Sequence, residues 1–277
     1  MTTSKKTHVL FALASAAALT AAAGSAQADD TVNVIVLKEH AVGGSRQAQP
    51  YIDQLMSVAA EKVGWASVKG KWITSRGRAK KYIRSKKPSY GILSLGAFLS
   101  LRKSQGLEVL GTVDANASGG RRYFLVSKDG RSLAACRGKK VATNHAADAV
   151  FVDKVVSGGA FKLGDFDIVK TRRPVQTLKK VIRDEAACAL IDDAQKAELA
   201  HISGGSEVGV AWSSAELPPM AVVAFSGAPA EDRAKFKASL GAICSGSGKS
   251  HCDKVGIKSL SPADGGVYAA VVRAYGQ

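Results

Sequence analysis

Short apolar, β-branched runs alternate with helical segments along most of this chain, and that alternation restricts its fold more than any other feature. The run Val32 to Leu37 is followed by Tyr51 to Val63, where apolar residues recur every three or four positions. Such alternation predicts an α/β fold with a largely parallel sheet. Further strands are predicted over 68–74, 90–95, 107–113, 121–128, 139–144, 166–171, 188–192 and 220–225, and further helices over 76–87, 147–156, 175–183, 231–243 and 267–275.

The strands and helices fall into two similar sets, which predicts two lobes. We expect lobe 1 over residues 29–115 and lobe 2 over 116–212, with 213–277 returning to lobe 1 and adding C-terminal helices. Two α/β lobes joined by more than one crossover indicate a cleft that closes on a ligand by hinge motion.

The N-terminus predicts export. Lys5 and Lys6 precede an apolar run from Val9 to about Ala23, and Ala26-Gln27-Ala28 is typical of a signal peptidase site. Residues 1–28 are therefore predicted to be a signal peptide, and the protein is expected in the periplasm or secreted. The apolar run falls short of the ~20 residues that a membrane span needs.

The chain is strongly basic. Its net charge is +16, and loss of Lys5 and Lys6 with the signal peptide leaves +14. Such a charge favours acidic partners: anionic solutes, nucleic acid or an anionic membrane. Nine basic residues and no acid fall between Lys69 and Lys87. Two interpretations of this segment stay open, a solvated helix face and a surface for lipopolysaccharide, nucleic acid or an acidic partner.

Four cysteines in an oxidising compartment predict disulfide bonds. Cys244 and Cys252 flank a short polar loop, and Cys136 and Cys188 each precede a predicted strand. Of the three connectivities, we favour Cys136–Cys188 with Cys244–Cys252. The loop sequence 245–250 is not a phosphate-binding loop, because it lacks the first glycine of that motif and follows a helix rather than a strand.

Four segments, taken in order, resemble the periplasmic solute-binding proteins of ABC importers. They are Tyr90-Gly-Ile-Leu-Ser-Leu-Gly-Ala-Phe98, Leu107-Glu-Val-Leu-Gly-Thr-Val113, Gly138-Lys-Lys-Val-Ala-Thr143 and Ala187-Cys-Ala-Leu-Ile-Asp-Asp193. The group they resemble binds phosphonate and phosphite and has the type 2 periplasmic binding fold. The resemblance implies a two-lobed α/β fold with a central cleft, a small anionic ligand and an ABC permease as partner.

The ends of predicted strands supply the candidate ligand contacts. At residues 143–145 a strand runs into a helix N-terminus, where free amides and the helix dipole favour an anion. The predicted ligand-binding residues are His40, Ser94, Gly96, Thr143, Asn144, His145, Arg173 and Asp192. Structural alternatives stay open: Asn144 or Asp192 as a helix cap, Ser94 and Gly96 as a packed strand end, and Arg173 as a surface arginine.

We therefore predict the solute-binding component of an ABC importer, capturing a phosphonate- or phosphate-like anion as a monomer, without catalysis, cofactor or metal. The sequence has no Gly-x-Ser-x-Gly elbow and no His-Glu-x-x-His motif. No stable nucleic acid partner is expected. The alternative is a sensor or accessory protein on the same scaffold, with an altered cleft and an acidic partner bound to the basic segment.

Overall fold

The computed structural model describes residues 1–3, 31–40, 45–115 and 119–276. All of the predicted signal peptide after residue 3 lies outside these residues. The folded unit runs from Thr31 to Gln277. Within the described ranges, no helix is long and apolar enough to cross a membrane.

Six strands form the first sheet, sheet A. They are β1 (Thr31–Leu37), β2 (Ser67–Ile73), β3 (Tyr90–Leu93), β4 (Glu108–Ala115), β10 (Met220–Ala224) and β11 (Ile257–Pro262). Their order in the sheet is β11-β4-β10-β3-β1-β2, so β2 lies at an edge. β1 is parallel to both β2 and β3, and β10 is antiparallel to β3 and β4.

Five strands form the second sheet, sheet B. They are β5 (Tyr123–Ser127), β6 (Lys140–Thr143), β7 (Asp167–Lys170), β8 (Cys188–Asp192) and β9 (Gly209–Ser213), in the order β7-β6-β8-β5-β9. β6 is parallel to β7 and β8, and β5 is antiparallel to β8 and β9. The lobe boundary predicted at 212/213 falls at the last residue of β9.

Eight α-helices and a π-helical turn connect these strands in the described part of the chain. They are α1 (Ser45–Val63), α2 (Arg76–Lys86), α3 (Leu95–Gln105), α4 (Pro174–Ile182), α5 (Asp193–Glu198), α6 (Ala230–Ile243), α7 (Lys249–Lys254) and α8 (Ala269–Tyr275), with the π-helix at Phe151–Val156. The α/β fold class is confirmed. Both sheets are mixed rather than largely parallel, because the chain re-enters sheet A as β10, antiparallel to its neighbours.

Two predicted elements differ from the structure in ways that matter for the site. The strand predicted to reach Leu95 ends at Leu93, because Ser94 is the N-cap of α3, a helix that the sequence analysis did not predict. The helix predicted from residue 147 begins at Ala149 and is π-helical from Phe151, since residues 146 and 147 form a turn and Asp148 Oδ1 accepts a hydrogen bond from the Phe151 amide, 3.0 Å away.

Both predicted disulfides are confirmed, Cys136–Cys188 and Cys244–Cys252. β6 and β8 are parallel neighbours, with Val141 opposite Cys188, so the chain just before β6 lies beside the start of β8. The second bond closes the polar loop between α6 and α7.

One apolar core joins the two sheets. It contains Ile35 and Leu93 from sheet A together with Val141 and Leu190 from sheet B. A second core, with Ile52 and Leu240, fills the other side of sheet A. The lobes are thus packed against each other behind the strand ends that form the site.

Candidate functional site

A narrow cleft lies where the ends of β1 and β3 in sheet A face the ends of β6 and β8 in sheet B. Its polar lining residues are Lys38, Glu39, His40, Arg76, Ser94, Arg121, Tyr123, His145, Asp148 and Asp192. Its internal space is about 40 Å³, which is room for a few water molecules. The cleft is therefore closed in this structure, and the protein's own side chains nearly fill it.

An ion-pair cluster around Arg76, at the start of α2, spans the cleft. Its guanidinium donates to both carboxylate oxygens of Glu39 at 2.8 and 2.6 Å and to Asp148 Oδ2 at 2.5 Å. The Tyr275 hydroxyl donates to the same Asp148 carboxylate at 3.1 Å. Burial by itself lowers the pKa of Arg76, but the hydrogen bonds and charges of Glu39 and Asp148 outweigh it and raise the pKa above its ordinary value. Arg76 and Asp148 thus tie lobe 1 to lobe 2.

The start of α3 presents hydrogen-bond donors to the cleft. Its first turn leaves backbone amides without intrahelical acceptors. Within the described structure, the buried hydroxyl of Ser94 has no hydrogen-bond partner. A methyl group on Gly96 would lie 3.3 Å from Nη2 of Arg76 and 3.4 Å from the Phe151 ring. The glycine therefore lets the guanidinium approach the helix start, and these donors together favour an anion.

Two histidines meet across the cleft. The rings of His40 and His145 are 4.4 Å apart in an edge-on arrangement. His40 has φ of 60°, a conformation that costs energy for a residue with a side chain and is frequent at functional sites. His145 Nε2 lies 2.9 Å from Gln195 Oε1, which also accepts from the Asp192 amide, so this nitrogen carries the proton.

Burial shapes the charge of three groups in the cleft. It lowers the pKa of His145 to about 4 and, with the neighbouring His145 and Arg76, the pKa of His40 well below its ordinary value. Burial raises the pKa of Asp192 to about 7, against a hydrogen bond from the Gln195 amide that favours the carboxylate. Between pH 7 and 5 the histidines therefore stay neutral while Asp192 takes up a proton.

The lowered pKa values of His40 and His145 and the raised pKa of Asp192 act in opposite directions on stability between pH 7 and 5. A histidine whose folded pKa is depressed loses stability as pH falls, because the unfolded chain binds the proton first, whereas an aspartate with a raised pKa gains stability over the same range. The effects of His145 and Asp192 each amount to about 2 kcal/mol from pH 7 to 5. Asp192→Asn should therefore lose about 2 kcal/mol more unfolding free energy than the wild type over this range, measured by urea denaturation.

Asn is an effective helix cap, so this variant keeps the cap that Asp192 provides to the Gln195 amide. His145→Gln in the same background should remove about 2 kcal/mol of the loss between pH 7 and 5. A wild type and an Asp192→Asn variant with parallel pH profiles would contradict the assigned shifts.

The structure brings five of the eight predicted ligand-binding residues to the cleft. These are His40, Ser94, Gly96, His145 and Asp192. The other three do not line it. The Thr143 hydroxyl donates to the Leu190 carbonyl at 3.0 Å and accepts from the His145 amide, Asn144 Oδ1 accepts from Thr177, and Arg173 is exposed at the start of α4.

The sequence analysis did not predict several residues that line the cleft. They are Lys38, Glu39, Arg76, Arg121, Tyr123 and Asp148. Arg76 was counted within the basic segment, although its place directly after a strand is the signal that could have separated it. Lys38 and Glu39 follow the first strand and carry the same signal.

No protein-family model and no curated protein sequence matches this chain. Solved structures do. The binding-protein component of an ABC phosphonate transporter from Pseudomonas aeruginosa is 12% identical, with a TM-score of 0.66 over 87% of this chain and 84% of that one. PhnD1 from Prochlorococcus marinus, in complex with methylphosphonate, is 10% identical, with a TM-score of 0.68 over 88% and 97%.

A Xanthomonas citri protein bound to ATP is also similar, with 12% identity and a TM-score of 0.67 over 90% of this chain and all of that one. The chain has the type 2 periplasmic-binding-protein fold. That fold accounts for the two mixed sheets, and it places the cleft between the lobes. At identities of 10–12%, the similarity establishes the fold and leaves the ligand to the residues of the cleft.

Proposed function

We propose that this protein is the periplasmic solute-binding component of an ABC importer and captures a small phosphonate- or phosphate-like anion between its lobes. The observation that carries the proposal is the convergence of the Ser94 hydroxyl, the first amides of α3 and the Arg76 guanidinium at one end of the cleft. The solved phosphonate-binding relatives with this fold support the ligand class. The protein would deliver its ligand to a permease and perform no covalent chemistry.

Ligand entry requires the lobes to part, because the closed cleft has little free space. Opening would separate Arg76 from Asp148, which bridge the lobes, while the Glu39 contact stays within lobe 1. An incoming anion could then replace the Asp148 carboxylate on the guanidinium. In the closed, ligand-bound state, the anion of the ligand would then take the place that the Asp148 carboxylate has on Arg76 in this structure.

Thermal unfolding against a panel of anions tests the proposal. The panel comprises phosphate, phosphite, alkyl- and aminophosphonates, sulfate, carboxylates and amino acids. A ligand at about 100 times its dissociation constant adds roughly 2.7 kcal/mol to the unfolding free energy, which raises the melting temperature by about 5–10 °C for a chain of this size. We expect such a shift with phosphonates or phosphate. If no compound of the panel raises the melting temperature, solute capture is refuted.

Ser94→Ala should lower the affinity for the ligand found in this panel by about 10- to 100-fold, since a hydrogen bond to a charged group contributes about 1.5–3 kcal/mol. Isothermal titration calorimetry gives the affinity. Ser104→Ala is the matched control, because Ser104 lies at the other end of α3 and its hydroxyl bonds the Leu101 carbonyl and the neighbouring Gln105 side chain. Equal affinities for both variants would remove the start of α3 from the site.

A further inference from the structure

Lobe 1 carries a dense set of cations outside the cleft. Its exposed members, which we call the basic face, are Lys69, Lys71, Arg78, Lys80, Lys81, Arg84, Lys86 and Lys87. None of the eight pairs with a carboxylate of another described residue. The structure therefore does not use these charges internally.

The eight cations lie on the same side of sheet A. Alternate residues of a strand share a face, so Lys69 and Lys71 project from the side of β2 that also carries Ile73. That side is covered by α2, because Ile73 packs in one core with Ala79 and Ile83. The exposed cations of α2 occupy helix positions other than the buried Ala79 and Ile83, and Lys87 follows the helix as its C-cap.

The partner of the basic face does not add a strand to sheet A. Although β2 is an edge strand, its free side is occupied by a side chain of α1: Gln49 Nε2 donates to the Gly70 carbonyl at 2.9 Å, and Gln49 Oε1 accepts from the Trp72 amide at 3.1 Å. The side-chain amide thus satisfies the backbone groups that a docking peptide strand would need.

The basic face also lacks the apolar groups of a protein or single-stranded nucleic acid interface. Its aromatic neighbours, Trp72 and Tyr82, are partly buried and pack against the cores. Between residues 67 and 87, all of which the structure describes, no large apolar side chain is exposed. Stable protein interfaces have an apolar centre, and single strands stack on exposed aromatic rings. The partner is therefore bound through the positive charge of the basic face alone.

We propose that the basic face docks on the phosphate-bearing surface of an anionic lipid bilayer. Six of its eight cations are lysines. The lysine ammonium is a compact point charge, which suits a surface of many headgroup phosphates, whereas a single bidentate phosphate contact favours arginine. Polybasic segments bind anionic bilayers reversibly in this way, and salt weakens them. Such docking would hold the protein near the membrane while leaving the cleft free for its solute.

Vesicle sedimentation tests this proposal. The purified protein is mixed with vesicles of phosphatidylcholine containing 30% phosphatidylglycerol, or with pure phosphatidylcholine vesicles, at low and at physiological salt. We expect binding to the anionic vesicles only, weakening with salt. The triple variant Lys80→Gln, Lys81→Gln, Arg84→Gln should bind on the order of 100-fold more weakly.

The matched control is Lys139→Gln, Lys170→Gln, Lys179→Gln, which removes three exposed cations from lobe 2 and gives the same net charge. It should bind like the wild type, and circular dichroism melts should show both variants folded. Equal losses in both triple variants, or no binding to anionic vesicles at low salt, would overturn the proposal. Tighter binding to duplex DNA than to the vesicles at equal phosphate concentration would overturn it as well.

Discussion

Arg76→Gln is expected to lower the free energy of unfolding by about 3 kcal/mol, with a fall in melting temperature of about 6–12 °C. The reason is that the substitution leaves two buried carboxylates without their cation. The side chains of Glu39 and Asp148 are only 10% and 11% exposed, and Arg76 neutralises both. Removing the cation from a buried ion pair costs more than the pair contributes, because uncompensated charge stays in a poorly solvated place. Urea denaturation followed by circular dichroism measures the loss.

Arg78→Gln is the control for Arg76→Gln. Arg78 lies two residues further along the same helix, is exposed, and donates only to the Thr74 hydroxyl. Its replacement should change the unfolding free energy by less than about 0.5 kcal/mol. Adding Asp148→Asn to Arg76→Gln should restore part of the loss, since one of the stranded charges is then gone. Equal effects of the two arginine substitutions would show that the ion-pair cluster contributes no net stability.

The fold was largely predictable because its strands are buried runs bounded by clear turn residues. β1 and β8 are apolar over most of their length and are buried in the structure. β9 and β11 were missed for the opposite reason: Gly209–Ser213 and Ile257–Pro262 are short, contain glycine, serine or proline and give no regular apolar alternation, and pairing with β5 and β4 makes them strands. Such pairing is a tertiary effect that local sequence does not encode.

The site was predictable only where a strand end supplies it. His40, Ser94, His145 and Asp192 each follow or end a strand, and all four reach the cleft. Thr143 also ends a strand, but its side chain turns into sheet B, where it bonds the Leu190 carbonyl.

The Arg76 cluster depends on contacts between residues far apart in sequence. Arg76 and Asp148 lie 72 positions apart, and Tyr275 reaches Asp148 over 127 positions. Only the closed packing of lobe 2 and α8 against lobe 1 brings them together. In the local sequence, only its position soon after β2, at the start of α2, separates Arg76 from the surface cations that follow it.

Replacing the Cys136–Cys188 disulfide by two alanines should destabilise the protein by about 4 kcal/mol at 25 °C. The bond joins residues 52 positions apart, so its loss frees a long loop in the unfolded chain, and the loop-entropy relation gives this magnitude. Both cysteines are fully buried, beside the starts of β6 and β8, so the substitution also removes packed sulfur atoms from the core. Chemical denaturation of the non-reduced variant and wild type measures the difference.

The second disulfide is an internal control for this expectation. Cys244 and Cys252 are only 8 positions apart, and the same relation gives about 2.5 kcal/mol for their replacement by alanine. The long-loop variant should therefore unfold at the lower denaturant concentration. The reverse order would mean that local packing around α6 and α7, rather than loop length, determines what each bond contributes. Because Cys188 begins β8, whose last residue is Asp192 in the cleft, loss of the long bond should also weaken solute binding, whereas loss of the short bond should leave it unchanged.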